Sequence, residues 1–318
     1  MKQASRSFFL LLGVAAGFAI AGSFLPGGFD ALYFFMRSPR TDTVVPAQAY
    51  LFTVPLSWLG WPRSWQVLIF LTILGAGLAA LAWDNRNWWF AVFSAPMVWN
   101  IWLGQIEIFS IAGLLVAALL IKRRVHPAWV GLMWLLFSVK PQVGLGPLLL
   151  VSWWVGRDRG FKALLWGLPV AGLALALTFL FWPGWVERWL VSLQIVHPNP
   201  AWVAAIWPYG LVFIPLAVLP RVADQKKRLR MIAAATLLAS PYFTLYHSST
   251  LLVLVSSPLG LLLSWALVYP ASALAETWRM WGWVLPAAIL LVDFTSHYQP
   301  ILARFFHRLW PDHKNTVI

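Results

Sequence analysis

Residues 108–124 read IFSIAGLLVAALLIKRR, an uncharged run entered from Gly104-Gln105-Ile106-Glu107 and closed by Lys122-Arg123-Arg124. The same pattern recurs along the chain. Apolar stretches are punctuated by Arg157, Arg159 and Lys162, and again by Arg221, Lys226-Lys227-Arg228 and Arg230. An α-helix needs about 20 apolar residues to cross a hydrocarbon core of roughly 30 Å, whereas the strands of a membrane barrel alternate apolar and polar residues. The runs fit helices. Composition agrees: 61% of the 318 residues are apolar, only 10% are charged, and the mean hydropathy is positive. That leaves too little polar surface to clothe a water-soluble globule of this size. The expected fold class is all-α, a polytopic helical membrane protein with about 10–11 transmembrane helices. No domain boundary or internal repeat is visible, so residues 1–318 read as a single integral membrane domain.

A formal charge of +13 raises the question of nucleic acid, but the basic residues lie in short clusters between apolar runs, where they mark cytoplasmic loops. No nucleic-acid partner is expected. The absence of cysteine excludes disulfides, thiolate metal sites and cysteine nucleophiles. The histidines show no metal-ligand spacing such as HExxH. Lys2 and Arg6 precede the first apolar run, which is read as an uncleaved span.

With the three clusters, Lys2, Arg6, Arg86 and Arg279 assigned to the cytoplasmic side, every segment between two clusters crosses an even number of times. Five hairpins follow. Residues 7–86 turn through a first extracytoplasmic loop at about 26–46, residues 88–121 through Gln105, and residues 127–156 through Lys140-Pro141-Gln142. Residues 163–220 turn through a second large loop at about 182–200, and residues 231–269 through Ser240 to Ser249. Residues 47–60, broken by Pro55, are too short to span and read as a re-entrant or surface helix. The 127–156 hairpin has about 14 residues per leg, roughly 21 Å, so Lys140 is expected in a recess below the outer surface. The last span is placed at about 280–295, leaving the tail from His297 outside.

Most polar groups outside the basic clusters thus gather on one face. A lysine in a shortened hairpin either snorkels to the headgroups or holds an anionic head such as phosphate in a cavity. Asp30, directly after the first span, is a solvated turn residue or a general base for an acceptor hydroxyl. Glu107 is the rival carboxylate, or a buried partner for Lys140 or Arg188. The Ser240-Pro241-Tyr242 turn with His247 places phenols and an imidazole at the same face, and the many tryptophans read as interfacial belts.

Taken together, these tips resemble the polyprenol-phosphate-mannose-dependent mannosyltransferases of glycosyltransferase family 87, within the GT-C superfamily. The resemblance runs from about residue 22 to 270. It is carried by the order of Gly104-Gln105-Ile106-Glu107, Lys122-Arg123-Arg124, Phe137-Ser138-Val139-Lys140-Pro141, Trp185-Val186-Glu187-Arg188 and Ser240-Pro241-Tyr242 with His247. It implies a GT-C-like fold in the cell (plasma) membrane with its active site on the extracytoplasmic side. It also implies a polyprenyl-phosphate-linked sugar donor, a glycolipid or glycan acceptor, membrane lipid as surroundings, and Asp30 as catalytic base, with Asp42 as the fallback for that role. Lys140, Gln105, Glu107, Arg188, His247 and Tyr242 would bind donor phosphate and substrate. No cofactor and no metal are called for. The alternatives are a flippase for a lipid-linked substrate and a catalytically inactive membrane scaffold.

Overall fold

The computed structural model describes residues 2–36, 45–195, 204–255, 257–273 and 278–309. Among them the chain is all-helical, with no strand. The fallback carboxylate Asp42 lies outside the described residues.

α1 (Lys2–Gly22) is followed by α2 (Tyr50–Ser57) and α3 (Arg63–Ala82). α1 packs along α3 because Gly77 leaves a slot for Leu11; a Cβ there would lie 2.3 Å from the leucine. α2 has eight residues, carries Pro55, and is held to the first loop by Tyr50, whose hydroxyl donates to the Phe34 carbonyl at 3.0 Å. α4 (Trp88–Val92) and α5 (Ala95–Leu103) then rise to Gly104, whose φ of +75° ends α5 in the left-handed conformation that glycine adopts without strain. From there α6 (Ile108–Lys122) returns to the basic cluster at Lys122.

α7 (Trp129–Ser138) has 10 residues, about 15 Å of rise, and α8 (Pro141–Arg159) has 19, about 28 Å. The legs are unequal rather than alike: α7 is the shorter, and α8 gains its length by running into the basic cluster at Arg157 and Arg159. Pro141 sits in the first turn of α8, where its missing N–H costs nothing. Gly144 lets α8 approach the backbone of Phe137, whose carbonyl oxygen an added Cβ would meet at 2.3 Å. The remaining helices are α9 (Lys162–Leu165), α10 (Leu168–Phe181), α11 (Trp185–Ile195), α12 (Phe213–Val218), α13 (Gln225–Leu238), α14 (Ser248–Leu252), α15 (Pro258–Ala273) and α16 (Val284–Leu309). Asp224 caps α13, its carboxylate accepting the Lys227 N–H at 3.1 Å. Among the described residues two helical stretches, Arg63–Ala82 and Lys162–Phe181, are long and apolar enough to cross a membrane. Arg6–Gly22, Ile108–Lys122, Trp129–Ser138, Tyr209–Val218 and Pro258–Leu267 are apolar but shorter.

The helices define two ends. At the basic end Lys122 pairs with Asp84, and Arg159 donates to the carbonyls of Leu120, in the last turn of α6, and of Val125, just beyond it. Asn85, buried, donates to the carbonyls of Val253 and Val255 at 3.1 and 2.8 Å, satisfying backbone between α14 and α15 that no helix serves. Arg230 grips Asp293 with a two-pronged contact of 2.6 and 2.5 Å, and Lys227 donates to Ser296 at 2.8 Å. These contacts correct the topology of the last span. They place Asp293 and Ser296 at the basic end, while the turn Trp278–Trp283 that opens α16 packs against Leu245–His247 at the opposite end. α16 thus runs toward the basic clusters, and neither Arg279 nor residues 297–309 lie where the distribution of basic residues alone would place them. A lone arginine in a tryptophan-rich turn is a poor topology signal; the carboxylate of Asp293, which is buried, needs the Arg230 guanidinium.

Candidate functional site

At the end opposite the basic clusters, four turns meet around Lys140. It is the residue before α8, and its side chain is only 6% exposed. The ammonium lies 2.8 and 2.6 Å from the two carboxylate oxygens of Glu107, which is fully buried at the start of α6. It also donates to the Gln105 carbonyl oxygen at 2.9 Å and stands 5.1 Å from the centre of the Tyr246 ring, a cation–π contact.

The other end of the Gln105 amide donates to Asp30. Asp30 and Lys140 therefore share one side chain and sit one amide apart. The first loop is stitched in place to make this so. The Gly28 N–H donates to the Trp102 carbonyl at 2.8 Å, and the Trp102 indole donates to the Pro26 carbonyl at 2.8 Å. Gly104 is pressed against Ala31 and Gly28, with room for no side chain: a Cβ would lie 2.7 Å from that of Ala31. Burial pushes the Asp30 carboxyl above the ordinary 3.8, while the Gln105 hydrogen bond and the Lys140 charge pull it back.

His247 completes the cluster. Its Nδ1 accepts the Thr244 backbone N–H at 2.9 Å, so in the neutral ring the proton sits on Nε2. That nitrogen faces the Gln142 amide at 3.2 Å and Glu107 at 3.6 Å. With Nε2 carrying the proton, the Gln142 amide turns its oxygen toward the ring. His247 is thus a donor aimed into the site. Tyr242 stands edge-on to it at 6.0 Å, in a turn closed by Ser240, whose hydroxyl donates to the Tyr242 carbonyl at 2.7 Å.

Asp30, Gln105, Lys140, Tyr242 and His247 all line one cavity of about 1100 Å³. Glu107 lies beneath its floor as the counter-charge of Lys140. Arg188 is the exception among the expected residues. The left-handed Gly184 curls its segment back, and Arg188 donates to the Pro183 carbonyl at 3.0 Å; the neighbouring Trp189 faces the cavity instead. Gln142 and Tyr246 also belong to the site; in the sequence they stand in the Lys140 and His247 turns with no role of their own. Their only signal is proximity, two residues beyond Lys140 and one before His247.

Away from the polar cluster the cavity becomes a groove between two helices. Leu145, Leu149 and Trp153, four residues apart, form one face of α8; Ile232, Ala235, Thr236 and Ala239 form the facing stripe of α13. The helices approach closely at Gly146, where a Cβ would meet the Thr236 hydroxyl at 2.0 Å. The site is therefore amphiphilic, with a charged head and a long apolar trough. Comparison of the chain with protein-family models, with curated proteins and with solved structures finds no match.

Proposed function

We propose that this chain is a multi-pass membrane glycosyltransferase that moves a hexose, mannose by its resemblance to glycosyltransferase family 87, from a polyprenyl phosphate to an acceptor hydroxyl. The observation that carries the reading is the joining of the Asp30–Gln105–Lys140 cluster to the α8–α13 groove. A lipid-linked sugar phosphate has the same two parts, an ionised head and a hydrocarbon tail. Water-soluble substrates would leave the trough unexplained.

In this reading the polyprenyl chain enters the groove along Leu145 and Ala239, and the phosphate reaches Lys140, with His247 Nε2–H and the Tyr242 hydroxyl as further donors. Asp30 takes the proton of the acceptor hydroxyl as that oxygen attacks the anomeric carbon; the bond to the phosphate oxygen breaks on the opposite face, inverting the configuration. The phosphate leaves already ionised, so no second carboxyl is needed to protonate it, in contrast to glycoside hydrolysis. Glu107, sealed under Lys140, balances its charge until substrate arrives.

The test is sugar transfer by the purified protein, from labelled polyprenyl-phosphate mannose to a panel of glycolipid acceptors, in wild type and Asp30→Asn. Transfer that disappears in the variant supports the proposal; equal transfer in both removes Asp30 from the chemistry. The length of the groove favours one rival, a lipid flippase. That reading predicts movement of the lipid head between leaflets without any transfer of sugar.

A further inference from the structure

The groove does not end at its apolar walls. Its lining reaches Arg228, in the first turn of α13, at the basic end of the molecule. Arg228 lies about 18 Å from Ser240 along α13, at 1.5 Å per residue, and so far from Lys140. Its Nε is buried with no hydrogen-bond partner, and among the described residues no carboxylate pairs with it. Neighbouring cations are engaged: Lys227 donates to Ser296 and Arg230 grips Asp293. Arg228 is half-buried, and its buried Nε leaves an open donor at the edge of the trough that an anionic oxygen would fill.

We propose that Arg228 and the adjoining walls of Ile232, Thr236 and Val218 form a site for an anionic phospholipid, its phosphate on the guanidinium and its acyl chain in the groove. Thr236 presents little polarity there, because its hydroxyl is bonded to the Ile232 carbonyl at 2.7 Å. The occupant is distinct from the sugar donor, whose phosphate belongs at the Lys140 end. The two ends of the groove, about 18 Å apart, are separated by more than the roughly 15 Å of hydrocarbon in one leaflet, so the Arg228 end falls in the leaflet opposite to that at the Lys140 end. Clustered Lys and Arg mark the basic end as the one facing anionic lipid. The proposal rests on the membrane reading of the chain and is independent of its transferase chemistry.

Native mass spectrometry of the full chain in mild detergent, supplied with phosphatidylglycerol or phosphatidylcholine, tests it. Wild type is expected to retain the phosphatidylglycerol adduct in preference, and Arg228→Gln to lose it about fivefold, the worth of one basic residue near a lipid phosphate. Arg228→Lys and the double variant Glu107→Leu with Lys140→Met are expected to keep it, and an excess of inorganic phosphate to leave it in place. Ile232→Trp, which fills the trough without touching the charge, is expected to lose it and serves if Arg228→Gln does not fold. Equal retention of both lipids, an unchanged adduct in Arg228→Gln and Ile232→Trp, or displacement by inorganic phosphate overturns the proposal. Failure of the transferase reading appears separately, in the sugar-transfer assay.

Discussion

The Lys140 ammonium sits 2.6 Å from one oxygen of Glu107 and 2.8 Å from the other, and both side chains are sealed from solvent. A pair of this kind gives little net stability over an apolar replacement, yet losing one partner leaves the other charge buried and uncompensated. Glu107→Gln and Lys140→Met are each expected to destabilise the protein by about 3–5 kcal/mol. The double variant Glu107→Leu with Lys140→Met is expected to be more stable than either single one. Unfolding in detergent measures all three, and strictly additive losses would show that the two residues do not depend on each other.

Asp30→Asn keeps the shape of the site and removes its proposed base. Transfer is expected to fall by about 10²- to 10⁴-fold, the usual worth of general-base catalysis. Donor affinity is expected to hold or tighten, since a carboxylate next to Lys140 has gone. Parallel measurement of transfer rate and lipid-phosphate binding separates these effects; weakened binding with unchanged turnover would contradict the assignment.

The titration of Asp30 has a definite sign. Its carboxyl is held above 3.8, chiefly by burial. A base works ionised, so transfer is present above the raised value and lost as pH falls through it, at a midpoint higher than 3.8. Binding of the donor phosphate moves the other way, because protonation of Asp30 removes a competing negative charge. Rate and affinity profiles in the acid range are expected to slope in opposite directions, and both slopes are expected to flatten in Asp30→Asn.

Gly104→Ala strikes the site without touching a polar group. Its φ of +75° is left-handed, and a Cβ there meets Ala31 and Gly28 at 2.7 and 2.9 Å. Strain of about 1–2 kcal/mol and overpacking of about 1–3 kcal/mol are expected, with the first loop pushed off Gln105. Transfer is expected to drop further than the stability loss alone accounts for; full activity in a destabilised variant would argue against the stitching of loop and tip.

The absence of cysteine makes accessibility labelling clean. Single cysteines at Arg279 and Glu187 are expected to react from one side of the membrane, and those at Arg86, Lys122 and His297 from the other. Reaction of the Arg279 and His297 positions from one side would contradict a final helix α16 that runs toward the basic clusters.

The convergence of tips was legible in sequence because basic clusters mark alternate turns of the chain, which forces Gln105, Glu107, Lys140, Tyr242 and His247 to one end together with Asp30. What each group does there was not legible. Whether Glu107 pairs with Lys140 or with Arg188 depends on a backbone turn at Gly184, set by local φ and not by any spacing. Tyr246 enters through a ring face and Gln142 through an amide, neither of which leaves a motif. The direction of α16 was hidden for a related reason: Asp293 lies in an apolar run, and its need for Arg230 is visible only once α13 and α16 are side by side.

Gln105 offers one amide to two masters, its N–H to Asp30 and its carbonyl to Lys140. A phosphate that draws the ammonium toward itself frees that carbonyl, lets the amide swing, and so uncovers the carboxylate. In the proposed transferase the base would then be unmasked only after the lipid-borne sugar has docked, a sequence of donor first and hydroxyl second that would guard the activated sugar against premature attack by water.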